Sequence, residues 1–118
     1  NDEAFDIRNK YNKNKKDKNK VLSENDLLAH HYNSIAHTMY LKGKELEKGV
    51  DLINKANDLK PNDGVILSTK AELLFKLGKI EEAFLNIKKG IELEPEHIEI
   101  QESFKMIKEA YQKRVDTK

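Results

Sequence analysis

Cysteine is absent from this chain of 118 residues, so disulfides, thiolate nucleophiles and thiolate metal ligands are excluded and no redox compartment is implied. No stretch approaches the ~18 consecutive apolar residues of a membrane span, and no charged-then-apolar leader opens the chain, so neither a span nor an uncleaved signal peptide is expected. The first residue is Asn1 rather than methionine, which leaves the compartment open, with a soluble cytoplasmic setting slightly favoured. A glycine-rich phosphate loop, a nucleophile elbow and an HExxH string are all missing. The reading is therefore of a protein that is not an enzyme and carries no cofactor. With 37% hydrophobic against 36% charged residues, a chain this short supports one domain around one modest core.

Charge of one sign is also lacking. The 22 basic and 21 acidic residues leave a net charge of +1, which argues against a domain built around a polyanion such as nucleic acid. What positive charge exists is local: Arg8, Lys10, Lys13, Lys15, Lys16, Lys18 and Lys20 face only Asp17 within that stretch. Residues 1–22 hold few apolar anchors, such as Phe5, Ile7, Tyr11 and Val21, and read as a flexible segment or a partial helix. An electrostatic tether to nucleic acid or an anionic surface is the alternative function of this segment, and Tyr11 is its one interleaved aromatic.

Beyond residue 22 the apolar residues recur at helical spacing and never alternate for long enough to suggest a strand. The series are Leu28, Tyr32, Ile35, Met39; Leu46, Val50, Ile53; Leu67, Ala71, Leu74; Ile80, Phe84, Ile87, Ile91; and Ile100, Phe104, Ile107, Tyr111. Ser23 and Asp26 mark the first helix start, Gly43 and Gly78 mark left-handed stops, and Pro61 and Pro95 follow two further ends. All connections are short, so neighbouring helices pack antiparallel. The fold class expected is all-α, with antiparallel helical hairpins stacked as a short right-handed α-solenoid.

Pro61 and Pro95 are preceded by the related strings KANDLKP and KGIELEP. Counting back at an offset of 34 pairs Leu59 with Leu93, Ala56 with Gly90, Ile53 with Ile87 and Gly49 with Ala83. Ahead of the glycine turn the offset becomes 35, pairing Gly43 with Gly78, Met39 with Leu74 and Ala36 with Ala71, so one extra residue is expected near Glu45. Ala36, Ala71, Gly49 and Ala83 are small where the two helices of a hairpin approach closely. Close backbone contact is the reason expected for mid-helix Gly49 and Gly90, and a leucine at Gly49 is expected to open the first hairpin.

These residues resemble the tetratricopeptide repeat family: Tyr32, Ile35, Ala36, Met39, Gly49, Ile53, Ala56 and Pro61 in one unit, and Leu67, Ala71, Leu74, Ala83, Ile87, Gly90 and Pro95 in the next. The departures are Lys70 in place of leucine, and Met39 and Leu74 in place of tyrosine. The resemblance places repeats at about 29–62 and 63–96 and a capping helix at about 97–114, within a domain of residues 23–118. It implies a scaffold that holds a protein or peptide partner in the concave groove lined by the first helix of each pair.

On that basis the groove residues expected are His30, Asn33, His37 and Tyr40 from the first unit, with Ser68, Thr69, Glu72, Phe75 and Lys76 from the second. Ser34 of the first unit and Val65 of the second are expected to face the groove as well, and Gln101 and Lys105 to extend the row. Family members that clamp acidic chaperone tails use lysine, asparagine and arginine there. Asn33, His37 and Thr69 occupy the corresponding places here, so that clamp is absent. His30, His31 and His37 cluster without carboxylates at suitable offsets and make a poor metal site. If residues 1–22 leave Leu27, Leu28 and Leu52 bare, self-association through that edge follows. A non-catalytic segment of a larger protein is the further alternative.

Overall fold

The computed structural model describes residues 23–117. The expectations for residues 1–22, both the flexible segment and the electrostatic tether, lie outside the described residues. Five helices follow one another: α1 Glu24–Lys42, α2 Leu46–Leu59, α3 Gly64–Lys76, α4 Ile80–Leu93 and α5 Ile98–Asp116. There is no strand among the described residues. α1 pairs chiefly with α2 and α3 with α4, while α3 also touches α1 and α5 leans on both α3 and α4.

The helix ends follow local chemistry. Ser23 Oγ accepts the backbone N–H of Asp26 at 3.0 Å and starts α1. Asp63 Oδ1 does the same for Ile66 at 3.1 Å in α3, and His97 Nδ1 for Ile100 at 3.4 Å in α5. Gly43 and Gly78 stop α1 and α3 with φ of 68° and 85°, a conformation that glycine enters without the Cβ penalty. Glu45, where the sequence offset changes by one, also has a left-handed backbone, with φ of 52°. The extra residue is thus absorbed in a turn, at a local cost of about 1 kcal/mol, and both flanking helices keep their faces.

Two buried clusters share α3. Ala29, Ala36, Ile53 and Ala56 meet Ile66 and Leu73 in the first. Ala71 and Leu74 meet Ala83, Ile87, Ile100 and Ile107 in the second. Ile66 and Leu73 point one way from α3 and Ala71 and Leu74 the other, which is why this helix is apolar around most of its circumference. α5 is held by Phe84 stacked on Tyr111, ring centroids 4.3 Å apart, and by Arg114 Nη1 donating to Glu81 Oε1 at 2.9 Å.

The tight glycines divide the work differently from the sequence expectation. A Cβ on Gly90 would lie 3.2 Å from the Gly64 carbonyl oxygen, so here the approach is backbone on backbone, between α4 and α3. A Cβ on Gly49 would instead lie 2.9 Å from Leu73 Cδ2. Gly49 therefore makes room for a side chain of the second hairpin, while Met39 Cβ of α1 would lie in ordinary contact at 3.6 Å. Leu27 and Leu28 are exposed while Leu52 is half-buried against the first cluster.

Candidate partner-binding cleft

The helices α1, α3 and α5 present one face together because positions three and four apart share a side of each helix. Asn33 and His37 from α1, Val65, Ser68, Thr69 and Glu72 from α3, and His97, Glu99 and Ile100 at the start of α5 enclose a cleft of about 220 Å³. Its floor is α3, and Ser68 and Thr69 are buried there rather than solvated.

Glu72 stands at the centre. Ser103 Oγ donates to its Oε2 at 2.6 Å, and His37 Nε2 lies 3.7 Å from its Oε1. Its side chain is 12% exposed. Burial holds the Glu72 carboxyl above the ordinary carboxylate range and the charge of Glu99 adds to the rise, against the opposing pull of Ser103 and His37. Burial, and then the charge of Glu72, raises the Tyr40 phenol in turn. Asn33 Oδ1 is buried and has no hydrogen-bond partner, and such a group loses its water without compensation.

Of the eleven groove residues expected from the sequence, the cleft gathers Asn33, His37, Val65, Ser68, Thr69 and Glu72. Tyr40 and Lys76 form an adjoining pair, with Lys76 Nζ 5.0 Å from the Tyr40 ring centroid and 3.5 Å from its backbone oxygen. The Tyr40 and His37 rings lie 5.8 Å apart. Phe75 packs against the second core cluster, and His30 is exposed and outside the cleft. On α5 the row continues through Glu99 and Ser103 rather than Gln101 and Lys105. Gln101 Nε2 turns back to donate to the Pro95 carbonyl at 2.7 Å. The 34-residue register held the signal, since it pairs Val65 with Glu99 and Thr69 with Ser103, whereas Gln101 and Lys105 fall opposite the core positions Leu67 and Ala71.

Among the described residues no group of three or more His, Cys, Asp or Glu side chains is arranged to hold a metal ion. No helix among them is long and apolar enough to cross a membrane. No family model, curated protein or solved structure matches the chain.

The raised Glu72 carboxyl sets a pH dependence. Just above the ordinary carboxyl range the folded protein holds a proton that the unfolded chain has lost, so Glu72's contribution to stability falls as pH rises through that window. Glu72→Gln keeps an acceptor for Ser103 and removes the titration. Its melting temperature is expected to exceed that of the wild type at neutral pH, with the gain shrinking toward about pH 4. Calorimetry across that range checks it, and a glutamine variant less stable than wild type at neutral pH would refute it.

Proposed function

We propose that the protein is a non-catalytic interaction module of the tetratricopeptide type, holding a segment of a partner polypeptide along the face shared by α1, α3 and α5. The observation that carries this reading is the cleft itself. Three helices each contribute polar side chains to it, and one of those side chains, Asn33, has a buried oxygen with no partner. A hydrogen-bonding cleft beside Tyr40 suits main-chain amides with an aromatic anchor next to them. The same reading holds if the chain is a segment of a larger protein.

The test uses 12-residue peptides selected from a random library against the full chain, with affinities read by fluorescence anisotropy. Asn33→Ala combined with His37→Ala is expected to weaken the recovered peptides about tenfold, the scale of one or two lost hydrogen bonds, while circular dichroism shows the helices intact. Peptides that bind this double variant as tightly as wild type would overturn the reading. If their binding instead disappears when residues 1–20 are deleted, the basic segment is the attachment site.

A further inference from the structure

Within this groove reading, on which the inference rests, we propose that the cleft seats the cationic side chain of one lysine or arginine of the partner, between Glu72 of α3 and Glu99 of α5 with Asn33 of α1 as a third acceptor. The lining holds two carboxylates and the amide oxygen of Asn33, which is buried and unpartnered, and it contains no lysine or arginine. Glu72 has one oxygen taken by Ser103 and the other only 3.7 Å from His37, too far for a full hydrogen bond. That second oxygen is open to a donor. The neighbouring cation, Lys76, is engaged with Tyr40, at its ring and its backbone oxygen.

A cleft of about 220 Å³ is far larger than the ~10–15 Å³ on the same measure that one water needs, and one long side chain can enter it. The acceptors decide which. An apolar side chain would strip water from Glu72 and bring no donor to it or to Asn33 Oδ1. An acidic one would face Glu72 and Glu99 together. An ammonium or guanidinium brings several N–H donors and opposite charge, and its charge-assisted bonds are about twice as strong as neutral ones.

The experiment compares peptides selected by the full wild-type chain with those selected by Glu72→Gln, a variant of the same size. Wild-type peptides are expected to carry lysine or arginine at one fixed position. Changing that residue to methionine should weaken binding about tenfold on wild type and by no more than about threefold on Glu72→Gln, where Glu99 still faces it. Glu99→Gln provides a second, more exposed variant, expected to show a smaller loss of the same kind. Peptides that depend on Asn33 and His37 yet show no basic position, or whose methionine analogues lose equally on both proteins, would overturn the inference while the groove reading stands. Peptides indifferent to Asn33 and His37 would overturn both.

Discussion

Leucine in place of Gly90 will lower the free energy of unfolding by about 3 kcal/mol, at the upper end of what overpacking costs. The obstacle is backbone. The first carbon of any side chain at this position would sit 3.2 Å from the Gly64 carbonyl oxygen and 3.7 Å from the Ser68 nitrogen, and neither atom can turn aside as a flexible side chain could. Further carbons must push α4 away from α3, and the second cluster, with Ala71, Ala83 and Ile87, opens with them. In a small domain of marginal stability this is a large share of the total. Alanine at the same place should be close to neutral, because its helix propensity gain of about 1 kcal/mol offsets a shift of a few tenths of an ångström. Urea unfolding midpoints of the two variants provide the check, and a leucine variant as stable as the alanine one would show that the hairpin is not limited by this contact.

The second large effect concerns the junction between hairpins. Leu73 is fully buried in the first cluster, and Leu73→Ala should cost about 3 kcal/mol through lost burial and the cavity it leaves. Gly49→Leu should cost a similar amount alone, since a Cβ at Gly49 would already press within 2.9 Å of Leu73 Cδ2. Together the two changes exchange a large and a small residue across one contact. The double variant should therefore recover at least about 1 kcal/mol relative to the sum of the single losses. Strict additivity in a denaturant-based mutant cycle would mean that Gly49 and Leu73 do not share the space.

Punctuation residues made most of the fold legible. Gly43, Gly78, Pro61 and Pro95 divide the chain at the places where the helices end, and the small residues Ala36, Ala71 and Ala83 are fully buried as their spacing demands. The candidate site was half legible. Asn33, His37, Ser68, Thr69 and Glu72 were expected from the family resemblance, but Glu99 and Ser103 were not, because α5 carries Gln101 and Lys105 where α3 has Leu67 and Ala71 to fix its phase. The pairing of Gly64 with Gly90 escaped for a different reason. Gly64 sits beside Pro61, Asn62 and Asp63, where glycine is expected for its turn chemistry, and only the folded arrangement reveals that it is there for another helix.

Lys105 sets α5 apart from the helices before it. It stands 34 residues after Ala71, which itself stands 35 after Ala36, and those alanines mark where α4 and α2 come close to their partners. A long charged side chain at that place on α5, exposed to water, resists the approach of another helix, because docking would either bury an ammonium or hold the backbones apart. α5 thus turns Ile100 and Ile107 toward the preceding pair and leaves on its other side a surface that a further helix could cover only by dehydrating a charge.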